Sequence, residues 1–416
     1  TYLGLRYAPP EVTHSTASSR PTCTQIFPHG HPHELTTHGT ARCGNGCRVF
    51  HASFLMLPLF FQLLRLGDEP QPALTGPAGE DEWAGALAEA RRQTLTGVVF
   101  ATAGRLPEGQ RPPRRLLLEW WAESERIRAA NRLVNRRAAE LTARFAARGM
   151  RSVVLKGQGV ALLYPDPLLR MPGDIDLWTD APRGELFAML RREFPKIPAF
   201  YHHMECPFFD DVSVEVHFTP SWMNRPGANR RLQSFFRREA GRQFSRRVEL
   251  PEGAGPVCVP DAAFNCVYLL VHIYRHLFGE GIGLRQLMDY HYLLLAGCSD
   301  ADRRAALREL DRLGLTGFAR AVMYVLGRVF ATPADRLLLP PDEGEGRFLL
   351  REVMLAGNFG RYDPRTRRRA DEGDLLRFVR HCRRNLRFVG YHPGETLCTP
   401  LFKVWHRLWR LRHGYM

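Results

Sequence analysis

Two aspartates one residue apart, in Gly173-Asp174-Ile175-Asp176-Leu177-Trp178, are the residues of this chain best placed to do chemistry. Their apolar neighbours predict a strand, and alternation along a strand sets Asp174 and Asp176 on one face. Two carboxylates side by side repel unless a cation sits between them. A divalent metal with oxygen ligands meets that need, and phosphate oxygens can complete its shell. Upstream, the apolar run Val153-Val154-Leu155 enters Lys156-Gly157-Gln158-Gly159. A compact ammonium at a turn into a helix suits a phosphate, and Gly157 and Gly159 allow close backbone approach. Downstream, V-S-V-E-V-H-F (residues 212–218) alternates as a strand and carries Glu215 and His217. Burying a carboxylate on a sheet is costly unless it is paired or metal-bound, so Glu215 is the expected third carboxylate and base. His217 shares its strand face and is placed to order Glu215 or meet substrate. Arg170, just before the aspartate strand, is placed to neutralise pyrophosphate as it leaves. The chemistry these residues suggest is metal-dependent work on a nucleotide phosphate, with Asp174, Asp176 and Glu215 as metal ligands.

The elements that must position them follow from periodicity. Residues 151–255 alternate strand and helix: strands at 153–155, 175–178 and 212–218, helices at 157–164 and 184–194, a small α/β sheet domain. Before it, residues 56–150 are helical; the long stretch from Arg114 to Arg148 shows apolar positions at helical spacing and stops at Gly149. After it, residues 256–340 form a striped helical series, 264–278, 284–295, 303–313 and 317–330, with Asp261 as the first N-cap. Residues 341–416 mix short helices with basic runs such as Arg367-Arg368-Arg369. The fold class is therefore α+β, a sheet domain flanked by N- and C-terminal helical segments. His272 and His276 share a helix face, but no glutamate follows the first as in a metalloprotease, and the pair reads as core or inter-helix hydrogen bonding.

Residues 1–55 differ from the rest. They hold six of the sixteen histidines and have no clear periodicity, which reads as a disordered or spurious leader. A chain starting at Met56 is expected to fold without it. The spacing of His29, His31, His33, His38, Cys43 and Cys47 fits no structural zinc pattern.

The net charge of +15 is carried almost wholly by arginine, since lysine occurs only at 156, 196 and 403. That bias matches a GC-rich genome. It is uneven, with 14 Lys/Arg against 5 Asp/Glu in residues 361–416, a tail that could hold a polyanion or be a solvated arginine-rich surface. Nine cysteines are too few for a disulfide scaffold, and those at 206, 258, 266, 298, 382 and 398 read as reduced, buried thiols of a cytoplasmic protein. No apolar run reaches the ~20 residues needed to span a bilayer.

The series L-K-G…R-M-P-G-D-I-D-L…V-E-V-H…L-L-V-H-I-Y-R-H…L-R-Q-L-M-D-Y resembles the bacterial, mostly uncharacterised nucleotidyltransferase family of the polymerase-β-like superfamily. The resemblance covers residues 56–416, with its specific signals between 153 and 295; Asn358-Phe359-Gly360 resembles a C-terminal element of part of that family. It implies a polymerase-β-like sheet on which Asp174, Asp176 and Glu215 hold two Mg²⁺. The Lys156-Gly157 turn would hold the triphosphate; it reads Lys-Gly-Gln-Gly where the superfamily's commonest turn is Gly-Ser or Gly-Gly. The implied activity is transfer of an NMP group from an NTP to an acceptor, with release of pyrophosphate. The alternative is a catalytically silent nucleotide-sensing or RNA- or partner-binding module on the same fold.

Overall fold

The structure is a computed structural model and describes residues 58–366 and 373–412. The leader with its histidines and cysteines, and Arg367, Arg368 and Arg369, lie outside the described residues. Four helices come first: α1 (Pro58–Arg65), α2 (Glu80–Arg92), α3 (Thr96–Arg105) and α4 (Arg114–Ala146). The 33-residue α4 buries one stripe, Val134, Ala138, Leu141 and Phe145, at the i, i+4, i+7, i+11 spacing of a helix face. It ends at Gly149, whose φ of 74° needs a residue without a Cβ.

The sheet follows. Strand β1 (Ser152–Leu155) leads through α5 (Gly157–Ala161) to β2 (Ile175–Thr179), then α6 (Arg183–Glu193), β3 (His203–Glu205) and β4 (Val214–His217). Strand order is β1-β2-β4-β3. β2 runs antiparallel to β1 and parallel to β4, while β3 pairs antiparallel with β4 at the edge. Alternation divides the sheet cleanly. Val154, Ile175, Leu177, Met204, Val214 and Val216 point to one face and pack on the α4 stripe and on Leu186 and Leu190 of α6. The opposite face carries Asp176, Trp178, His203, Glu215 and His217.

Helix α7 (Pro226–Gln243) and a hairpin of β5 (Arg247–Leu250) and β6 (Gly255–Cys258) come next. Neither stands out in the sequence, because α7 is arginine-rich and β5 is largely exposed. Helices α8 (Ala262–Gly279), α9 (Leu284–Ala296), α10 (Asp300–Leu313) and α11 (Thr316–Phe330) form the expected series, and α12 (Glu343–Ala356) packs on α11. Asp261 caps α8, its carboxylate accepting from Phe264 N at 2.8 Å. α8 covers the polar face of the sheet, where Phe264 stacks on Trp178 with ring centroids 6.0 Å apart. Last come α13 (Asp374–Asn385) and α14 (Pro393–Arg412). The described residues, from 58 onward, belong to one compact unit. The six described cysteines are all free thiols, Cys206 and Cys266 buried and the other four part-exposed.

Buried polar groups fix the two loops that border the site. Asn131 of α4 donates to the carbonyls of Leu168 (2.7 Å) and Arg170 (2.8 Å). Gln158 donates to Asn131 and Asn135, tying the Lys-Gly-Gln-Gly turn to the same helix. Arg170 forms a buried bidentate pair with Asp289 of α9, at 2.7 Å for both Nε and Nη2. Tyr164 donates to the same carboxylate at 2.6 Å. Removing one partner of such a pair leaves an uncompensated buried charge. Arg170→Ala and Asp289→Ala are each expected to lose about 3–5 kcal/mol of stability by urea denaturation. Losses below about 1 kcal/mol would show that the pair is solvated and dispensable.

Candidate active site

The parallel register of β2 and β4 places Asp176 directly beside Glu215. The antiparallel register of β3 then sets His203 beside His217. Asp176 Oδ1 accepts from Lys156 Nζ at 2.9 Å and from His217 Nε2 at 2.8 Å. Glu215 Oε2 lies 3.4 Å from His217 Nε2 and 3.6 Å from His203 Nδ1. Asp174, half-buried, precedes β2 on the same side. Lys156 occupies an unusual backbone conformation, φ 51° and ψ −136°, immediately before α5. The turn that aims its ammonium at Asp176 is thus strained for a residue with a Cβ.

Charge explains the titration of these groups. Burial, with Asp176 and Glu215 close by, pushes the Asp174 carboxyl up to about 7, against the pull of Lys156. Burial also works against charge on Asp176, yet Lys156 and His217 hold it below the usual carboxylate range. Glu215 is held low in the same way, by His203, His217 and Lys156 against its burial. On His217 burial is outweighed by the hydrogen bonds to Asp176 and Glu215, and its pKa is raised. Lys156 and His217 therefore face three carboxylates, and Asp174 is left short of counter-charge.

The donor set suits a divalent cation. Asp176, Glu215 and His217 offer ligand atoms within 4.8 Å of one another, and His202, His203 and Glu215 form a second such group. Asp174 belongs to neither group, although it feels the charge of both other carboxylates. Oxygen-rich donors with one imidazole fit Mg²⁺ or Mn²⁺.

The opposite wall is α8. Phe264, Tyr268, His272 and His276, each four residues on, line the side toward the sheet. The Tyr268 hydroxyl is buried without a hydrogen-bond partner among the described residues, and its ionisation is suppressed by burial and by Asp176. Burial drives the pKa of His272 well below the ordinary histidine range and that of His276 down to about 4, so both are neutral at pH 7. His276 is engaged with Arg275 and Glu280, as a hydrogen-bonding rather than a metal-binding residue. Arg275 lies over Trp222, 4.2 Å from the ring centroid, and Trp222 packs on His202. Arg285 donates to Met171 O at 3.0 Å beside Gly173, and its Nε has no partner among the described residues. The Asn358-Phe359-Gly360 element closes this end. A Cβ on Gly360 would fall 2.0 Å from Glu280 O, so only glycine lets the segment sit against the α8–α9 connection.

Lys156, Gly157, Asp174, Asp176, Glu215 and His217 thus lie in one place. Arg170 does not serve as the pyrophosphate contact expected of it: its Nε and Nη2 are committed to Asp289 and its Nη1 to Met171 O. Gly159 sits under Val259, whose Cγ1 would be 2.9 Å from an added Cβ, so packing is what demands glycine there. The sequence reading passed over His202, His203, Tyr268, Arg275 and Arg285. The doublet His202-His203 between aromatic and apolar residues was the available signal; for Arg275 and Arg285, the abundance of arginine hid it.

The framework of the site is thus a mixed sheet with clustered carboxylates under a helical cover. The model of the uncharacterised nucleotidyltransferase family matches residues 79–331, more than half of the chain, and the chain belongs to that family. No curated protein matches it. Among solved structures, an antigenic nucleotidyltransferase-like protein from Paracoccidioides brasiliensis aligns at 15% identity and a TM-score of 0.27, covering 45% of this chain and 91% of that one.

The raised pKa of Asp174 has a measurable sign. A carboxyl whose folded pKa exceeds its unfolded value stabilises fully below the unfolded value, and that contribution is lost as pH rises through about 7. Asp174→Asn is therefore expected to raise the Tm of the metal-free protein at pH 8 but not at pH 4. A metal ion bound through Asp174 would have to displace the proton that the raised pKa holds there. The Tm increase caused by Mg²⁺ or Mn²⁺ should accordingly grow between pH 6 and pH 8 in a thermal-shift series. A pH-independent increase would place the ion elsewhere.

Proposed function

We propose that this chain is a metal-dependent nucleotidyltransferase, moving an NMP group from an NTP to an acceptor hydroxyl or phosphate with release of pyrophosphate. The observation that carries this reading is the pairing of Asp176 and Glu215 on one sheet face beside Lys156, with Asp174 just before the strand and within reach of their charge. Asp176 and Glu215, with Asp174 and His217, would hold the divalent cations. Such ions lower the pKa of the attacking group and stabilise the charge that develops on the phosphates. Glu215, held ionised by its neighbours, suits ligation better than proton uptake. Lys156 and the Gly157 turn face the triphosphate, and Arg275 and Arg285 take the phosphate role that Arg170 cannot. α8 excludes water from the reacting centre. The acceptor oxygen attacks the α-phosphorus, the bond to the bridging oxygen breaks, and pyrophosphate leaves.

The full chain incubated with each NTP, Mg²⁺ and a cell extract as acceptor source should release pyrophosphate, and EDTA should abolish this. Asp176→Asn and Glu215→Gln should each lower the rate by about a hundredfold or more. Near-native turnover in either variant would refute the assignment. One observation favours a second reading, a nucleotide-sensing module without chemistry: Lys156 and His217 already satisfy Asp176 Oδ1 from within the protein. NTP binding in calorimetry with no pyrophosphate released from any extract would select that reading.

A further inference from the structure

Among the described residues, the exposed large apolar side chains are concentrated on α13 and α14. On α14, Leu397, Leu401, Val404, Trp405, Leu408 and Leu411 are between 45% and 70% exposed. Five of them recur at intervals of 4, 3, 4 and 3 residues, a single stripe along the helix. Opposite this stripe the helix is well anchored. Glu395 accepts from the backbone of Asn224 and Arg225, Phe402 packs on Tyr201, and His406 accepts from Tyr201 N at 3.2 Å. The stripe is thus the outward face of a docked helix, not the inward face of a loose one.

Helix α13 runs beside it in the opposite direction. Arg407 Nη1 of α14 meets Asp374 at the start of α13, at 3.3 Å. Leu375, Leu376 and Val379 of α13 are 75%, 55% and 51% exposed. Together the two helices present an apolar face of the kind that soluble surfaces rarely leave bare without a use.

The charges around this face are of one sign. Among the described residues, exposed Arg377, Arg383, Lys403, Arg407 and Arg412 surround it, against a single exposed acid, Asp374. That pattern selects the occupant. A second copy of this chain would bring like charges together, with no glutamates at the flanking positions to pair with them, as a helix–helix seam requires. An apolar face edged by arginine and tryptophan instead suits the boundary between anionic headgroups and acyl chains. We propose that the α13–α14 hairpin lies flat on an anionic lipid surface, its leucines entering the acyl boundary and its basic residues meeting the headgroups. This is surface attachment; among the described residues no helix is long and apolar enough to cross a membrane.

The test is co-sedimentation of the full chain with vesicles of phosphatidylcholine alone or with about 30% phosphatidylserine, a fraction that gives the surface a negative potential. Binding to the anionic vesicles only, weakening as NaCl rises, is expected. L401E/L408E should lower the partition coefficient by about tenfold or more while leaving Tm unchanged, since both positions are exposed. R383Q should lower it by up to about fivefold. Equal binding to both vesicle types would overturn the electrostatic argument. A dimer in light scattering that L401E/L408E converts to monomer, without vesicle binding, would overturn the proposal in favour of a second copy. Binding of RNA in place of vesicles, insensitive to L401E/L408E, would overturn it in favour of a basic patch alone.

Discussion

Crowded negative charge on one sheet face is the constraint around which this molecule is arranged. Strand pairing puts Asp176 beside Glu215, and Asp174 stands one step before them. Mutual repulsion in a setting withdrawn from water would unfold such a site, so the protein brings cations to it. Lys156 arrives on a strained turn, and the carboxylates beside His217 raise its pKa. The opposite sheet face compensates with a dense apolar contact against α4 and α6. A layered design results: one side of each strand stabilises, and the other stores unfavourable charge for use.

The site was legible in the sequence where local chemistry and strand alternation coincide. Asp174 and Asp176 could be placed on a common face from the period of two alone, and V-E-V-H announced Glu215 and His217 in the same way. α8 could be read because its apolar residues are continuous and Asp261 caps it. What could not be read depends on pairing between distant segments. β3 is three residues long, and its His203 becomes part of the site only through its register with β4. Arg170 looked like a free cation beside the aspartate strand. Its partner, Asp289, lies 119 residues away, and no local pattern announces a bidentate pair across that interval. Arginine abundance also blurred the signal, since Arg275 and Arg285 differ from their many counterparts only in position.

The buried polar network explains how a charged face can coexist with loops of precise shape. Asn131, Asn135 and Gln158 lie in apolar surroundings and satisfy one another and the carbonyls of Leu168 and Arg170. Each such group is costly if left alone, so the network favours one arrangement of the Lys-Gly-Gln-Gly turn and of the loop before β2. The loops at the site are specified by helix α4, although none of its side chains belongs to the carboxylate cluster.

The near-absence of lysine gives the Lys156–Asp176 contact a use beyond its role in charge balance. The chain has three ε-amines, and two of them, on Lys196 and Lys403, are exposed. The third is half-buried and engaged by a carboxylate. An acylating reagent should therefore modify Lys196 and Lys403 readily and Lys156 only when its contact opens. The molecule carries its own reporter: the extent of acylation on a single peptide, read by mass spectrometry, records how often that turn releases its grip.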